Sequence, residues 1–166
     1  VFRPGDRVRV LPSGQESTVE RILIGEQEVA EVFSPQSAVI TLKDDIDIAR
    51  GDMLVGTNSA LGAVQDVDAM LCWLDAANLR PGGRYLLRHG PHEVRCVIKE
   101  VRYRMDIRTM RKQEENPALG MNDIGRVHLR TMAPIMVDPY RRNRATGSFS
   151  LIDEANNATV AAGLVQ

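Results

Sequence analysis

Turn residues punctuate this chain at intervals of roughly 8–12 residues, and the stretches between them alternate apolar and polar side chains with period two. Pro4-Gly5-Asp6, Pro12-Ser13-Gly14, Gly25, Arg50-Gly51-Asp52, Arg80-Pro81-Gly82-Gly83 and His89-Gly90-Pro91 are the clearest breaks. Between them lie Arg7–Leu11, Thr18–Ile24, Glu28–Phe33, Ala38–Leu42 and Met53–Val55, then Val64–Leu74 and Arg84–Arg88. Short strands at this spacing cannot bury one face alone, so the pattern predicts an all-β fold of barrels or sandwiches.

The second half repeats the theme in longer strands. Glu93–Tyr103 alternates but changes phase near Lys99-Glu100, which predicts a β-bulge. Ile124–Arg130 alternates cleanly, setting Arg126, His128 and Arg130 opposite Val127 and Leu129. Ala133–Val137 reads as an extended edge, because Pro134 has no amide to donate into a central ladder. The polar stretch 108–115 is expected to form one or two helical turns, with Arg111 and Glu115 at i,i+4 spacing and Pro117 ending them. Gly56 to Ala63, GTNSALGA, is small and uncharged and is the expected linker, giving a first domain over 1–58 and a second over 59–166.

At 166 residues the chain is expected to bury about 70% of its unfolded surface. Its net charge of −1 supplies no global field toward nucleic acid or an anionic membrane, so any basic surface is local. Cys72 and Cys96 lie in apolar runs without a CxxC pair, as expected of reduced thiols in a cytoplasmic protein. No apolar run approaches the roughly 18 residues of a membrane helix, and no signal segment opens the sequence. The chain starts at Val1 without an initiator Met and is expected to be part of something longer.

No phosphate loop, dinucleotide fingerprint, HExxH, paired CxxC or GxSxG occurs, so no catalytic, cofactor or metal residues are assigned. His89 and His92 flank a hairpin turn without a third ligand nearby, and Asp44, Asp45 and Asp47 lack the spacing of a calcium loop. Arg102-Tyr103-Arg104 resembles a basic-aromatic strip, yet three Phe, one Trp and three Tyr leave few stacking platforms for nucleic acid. The least generic stretch is Asp138–Asp153, DPYRRNRATGSFSLID. Pro139 stiffens its entry, Arg141, Arg142 and Arg144 crowd three guanidiniums into four positions, and Ser148–Asp153 reads as a strand with Phe149 and Leu151 on one face. Gly147 before that strand supplies either a positive φ or room for another backbone. A basic loop held by a buried strand suits an acidic partner; a solvated turn is the plain alternative. Tyr140, Arg141, Arg142 and Arg144 are the candidate docking residues.

The motifs PGD at 4–6, VLPSG at 10–14, RGD at 50–52, YLLRHG at 85–90, NDIGRV at 122–127 and NRATGSF at 143–149 resemble the GTP-binding subunit of bacterial sulfate adenylyltransferase, a relative of the elongation factor Tu GTPases. The resemblance implies two β-barrels similar to domains two and three of elongation factor Tu, without the G domain that holds GTP and magnesium. It further implies a cytoplasmic subunit that couples GTP hydrolysis to the formation of adenylylsulfate and pyrophosphate from ATP and sulfate on a separate catalytic subunit. Its partners would be that small subunit and its own G domain; an RNA-binding barrel pair is the alternative. In the resembling family a strand precedes the PGD turn, so the first barrel here is expected to show an exposed edge and to favour self-association.

Overall fold

A computed structural model describes residues 1–59 and 61–166. Every regular element among them is a strand, and the chain divides into two compact units, Val1–Gly62 and Ala63–Gln166. The expected linker at 56–63 includes Ala60, which lies outside the described residues.

The first unit is built on a long strand. β2 (Glu16–Ile24) pairs antiparallel with β1 (Arg7–Leu11) through its first half and with the short β3 (Gln27–Glu28) through its end. β4 (Val39–Leu42) takes the opposite side of β2, and β5 (Met53–Gly56) lies outside β1. Alternation turns Val8 and Val19 inward, and a register shift between Val19 and Arg21 brings Ile22 back to the same face, where they pack with Val32 and with the partly buried Phe2, Ile40 and Leu54. The expected strand over Glu28–Phe33 survives only as β3 and an isolated bridge from Val32 to Phe2. Val29 still donates to Ile22 O of β2, one position beyond β3, and a turn in which Gln36 donates to Phe33 O then ends the extended stretch. Among the described residues β4 and β5 each pair on one side only, so this sheet is open at both.

The second unit is a closed six-stranded antiparallel barrel. Around its circumference run β6 (Ala63–Trp73), β12 (Thr159–Val165), β11 (Ser148–Ile152), β7 (Arg84–His89), β8 (His92–Asp106) and β10 (Ile124–Met136), and β10 returns to β6. Closure removes the edges, so each of these six strands has a partner on both sides. Val67, Ala69, Leu71 and Trp73 of β6 alternate inward and meet Val127 and Leu129 of β10, Cys96 and Ile98 of β8, and Phe149 and Leu151 of β11. The phase change in β8 is a bulge: β10 pairs Leu129 with Ile98 and His128 with Glu100, skipping Lys99. β10 extends past its expected end to Met136, and its register against β6 breaks between Arg130 and Ile135, where Pro134 has no ladder hydrogen bond to lose.

Residues 108–115 are not helical. Asp106 accepts hydrogen bonds from the Arg108 and Thr109 amides, which hold its carboxyl below the usual carboxylate range and fold the chain back. Met110 takes a left-handed φ of 57°, and β9 (Arg111–Gln113) pairs antiparallel with the end of β8. One hairpin ladder thus displaces an i,i+4 pair worth only a few tenths of a kcal/mol.

Two irregular segments complete the core. Leu79 and Leu119 are buried, and the Leu79 amide donates to Leu119 O at 2.8 Å. Gly125 makes room for Leu119: a Cβ there would stand 2.5 Å from Leu119 Cδ2 and 2.7 Å from Tyr103 O. The Trp73 indole donates to Ala77 O at 2.7 Å and meets the Tyr85 ring edge-on at 5.7 Å between centroids.

Candidate docking surface

The loop from Val137 to Gly147, between β10 and β11, is fixed to the barrel by backbone bonds. Tyr140 donates its amide to Val165 O at 2.9 Å, and Val165 donates to Gly147 O at 2.8 Å, so the last residues of β12 clamp both arms of the loop. The loop also closes on itself, with Arg142 and Asn143 both donating to Pro139 O. Gly147 is required for close approach. A Cβ there would lie 2.7 Å from Asn143 O and from the Tyr140 amide nitrogen, and closer still to Tyr140 Cα.

One buried and one half-buried side chain brace this arrangement. His89, at the end of β7, is buried and donates Nε2–H to Thr146 O at 2.9 Å. Asp138 is 14% exposed and accepts from the Thr146 hydroxyl at 2.8 Å. Its second oxygen lies 3.9 Å from Arg142 Nε, an outer-range contact to an exposed guanidinium that contributes little to stability. Arg144 sits 5.9 Å from the centroid of the Tyr140 ring, at the limit of cation–π range. Arg141 has no hydrogen-bond or ion-pair partner among the described residues. The four candidate docking residues therefore lie on one braced loop, which sets three exposed cations against one carboxylate, Asp138, already hydrogen-bonded to Thr146.

A larger charge cluster, missed in the sequence, covers the outer wall of the same barrel. On β6, Asp66 receives Arg130 Nη1 at 2.7 Å and Asp68 lies 3.0 Å from Arg102 Nη2 and 3.5 Å from Arg126 Nη2. His128 stands between the two carboxylates, 3.3 Å from Asp66 and 3.6 Å from Asp68. The approach of Arg102 to Asp68 Oδ1 is an ion pair off hydrogen-bond geometry, and that oxygen makes no hydrogen bond. With Glu100 beside Arg102, three carboxylates face three guanidiniums, so this belt is self-neutralised and presents no net field. Its signal was the opposed alternation of Asp66 and Asp68 against Arg126, His128 and Arg130, which becomes a contact only once β6 and β10 are known neighbours.

The remaining candidates are structural. His89 and His92 face each other across the hairpin turn, with Gly90 at φ 55°. Asp44 accepts from the Ser17 hydroxyl at 2.8 Å in an exposed loop. Among the described residues no group of three or more His, Cys, Asp or Glu is placed to hold a metal. Cys96 is buried and Cys72 half-buried; both are free, and burial pushes the Cys96 thiol up to about 12. Burial also raises the Tyr85 hydroxyl, with smaller contributions from Asp153 and Asp75. No described helix is long and apolar enough to cross a membrane.

A closed six-stranded barrel carrying a braced loop between its fourth and fifth strands in chain order, and preceded in sequence by a second all-β unit, is a translation-factor type of β-domain. Residues 66–166 match the family described as GTP-eEF1A C-terminal domain-like, and the chain belongs to that family. Over 99% of its length it is also 44% identical to the bifunctional enzyme CysN/CysC of Mycobacterium tuberculosis, covering 27% of that protein. It is 40% identical to sulfate adenylyltransferase subunit 1 of Teredinibacter turnerae, covering 35% of that protein. The chain thus spans between 27% and 35% of these relatives' length. Among solved structures, sup35 complexed with GDP matches with a TM-score of 0.88 at 20% identity, over 99% of this chain and 40% of that one, a likeness of fold.

Proposed function

We propose that this chain is the non-catalytic β-domain portion of a sulfate adenylyltransferase subunit 1, and that its 138–147 loop docks the subunit that makes adenylylsulfate. The observation that carries the reading is the contrast between the two charge clusters. The belt on β6, β8 and β10 balances its own charge, three carboxylates to three guanidiniums, whereas Arg141, Arg142 and Arg144 set three exposed cations against one carboxylate on a loop fixed by four separate braces. Rigid, unspent guanidiniums suit a protein surface rich in carboxylates.

On this reading GTP and magnesium belong to a G domain elsewhere in the cytoplasmic parent. Hydrolysis there changes how these β-domains present the loop, so ATP and sulfate are converted to adenylylsulfate and pyrophosphate by the partner. The chain alone is expected to show neither GTPase activity nor adenylylsulfate formation. The RNA-binding alternative is separated by filter binding of single-stranded RNA across a salt titration, beside binding of the catalytic subunit. Micromolar affinity for the subunit with negligible RNA retention supports the docking role; tight RNA retention that falls steeply with salt overturns it. The open edges of β4 and β5 are expected to drive weak self-association, read as a mass that rises with concentration in sedimentation equilibrium; a monomer at every concentration refutes this.

A further inference from the structure

Beside the arginine loop the outer wall of the barrel changes character. β12 and β6 place Leu164 directly opposite Met70, both outward, and Leu164 is 37% exposed. Tyr103 donates its hydroxyl to Met70 Sδ at 3.6 Å, which pins the thioether in place. This apolar pair floors a cleft of about 540 Å³ walled by Pro139 and Tyr140, with Arg141 at its rim. Charge on an unspent guanidinium, an aromatic wall and an aliphatic floor occur together here.

We propose that this cleft binds an acidic peptide segment in which a Glu or Asp adjoins a large apolar residue. The carboxylate would take the fork of Arg141, whose donors meet no acceptor among the described residues, and the neighbouring apolar side chain would cover Met70 and Leu164. A phosphodiester strand fits less well. The floor is aliphatic, Tyr140 is its single aromatic wall, and Asp68 lies two residues from Met70 on the same face of β6. The inference deepens the docking role proposed above and rests on it for the identity of the protein that carries the segment.

The test is methyl NMR on the 166-residue chain labelled at methionine Cε, titrated with three probes: acetyl-Glu-Glu-Leu-Glu-Glu-amide, its Gln counterpart, and an eight-residue oligouridine. The Glu peptide is expected to shift the Met70 methyl saturably while the exposed Met110 and Met132 stay fixed. The Gln peptide should bind about 10-fold more weakly, Arg141→Ala should lose a similar factor, and Arg141→Lys should retain part of it. Leu164→Ala should weaken binding a few-fold through the floor. A silent Met70, equal binding of the Glu and Gln peptides, an unaffected Arg141→Ala, or tighter binding of oligouridine each overturns the proposal. Failure here with a parent complex that still weakens on reversing the loop charges removes the cleft chemistry alone; a complex indifferent to those charges removes the docking role.

Discussion

Replacing Gly147 by alanine tests the packing on which the loop depends. The added Cβ meets backbone on the other arm of the loop, at 2.7 Å from Asn143 O and the Tyr140 nitrogen, so no side-chain rotamer can relieve it. Overpacking of this kind costs about 1–3 kcal/mol. Any retreat of Tyr140 also lengthens its 2.9 Å bond to Val165 O, and movement of Gly147 loosens the 2.8 Å bond from Val165, each contributing about 1 kcal/mol net. The sum is about 3–5 kcal/mol, or roughly a hundredfold to a few thousandfold in the unfolding equilibrium. The assay is urea denaturation followed by Trp73, the single tryptophan and 1% exposed inside the barrel that carries the loop. Gly120→Ala is the matched control, since its Cβ meets only side-chain oxygens, Asn78 Oδ1 at 3.1 Å and Asp123 Oδ2 at 3.6 Å, and is expected to cost less than about 1 kcal/mol. A Gly147→Ala chain within about 0.5 kcal/mol of the parent, or level with the control, would refute the reasoning.

Cys96 and Cys72 should differ sharply toward a thiol reagent at pH 8: the half-buried Cys72 reacts in the native state, and Cys96 only on unfolding, with equal reactivity as the contrary result. Because the Cys96 thiol sits at about 12 when folded against about 9 when unfolded, the unfolded state loses its proton first. Stability is fully present below pH 9 and falls as pH rises toward 12, by up to about 4 kcal/mol; Cys96→Ala should flatten that fall, and an unchanged alkaline slope would contradict the assignment. Asp68→Asn removes the carboxylate shared by Arg102 and Arg126 and should cost about 1 kcal/mol at low salt, less at 1 M; a salt-independent loss would mean that the belt is not electrostatic.

Much of the second unit was legible because its strands are long and half-buried, so the pattern carried the position of β6 and, by alternation, both the position and the apolar faces of β8 and the first half of β10. The bulge at Lys99 was equally visible as a phase change. What alternation does not carry is who neighbours whom, and the Asp66–Asp68 belt, the Leu164–Met70 floor and the Leu79–Leu119 contact are all products of pairing or chain reversal. Local chemistry misled where two elements competed over short stretches: the Asp106 turn overrode the weak helical pattern after it, and the apolar run near Val29–Phe33 found only a bridge to Phe2. The arginine loop was legible as a charged stretch, and Gly147 as a position needing space, but the braces from His89 and Val165 come from strands remote in sequence, and the Asp138–Thr146 bond needs the loop already closed.

The decisive measurement is calorimetric titration of the complete parent subunit with its catalytic partner, wild type against a parent carrying Arg141→Glu, Arg142→Glu and Arg144→Glu. If the loop docks the partner, the charge-reversed parent loses at least 10-fold in affinity and shows a shallower salt dependence, at an unchanged thermal unfolding midpoint. Equal affinity and equal salt dependence for the two parents would contradict it.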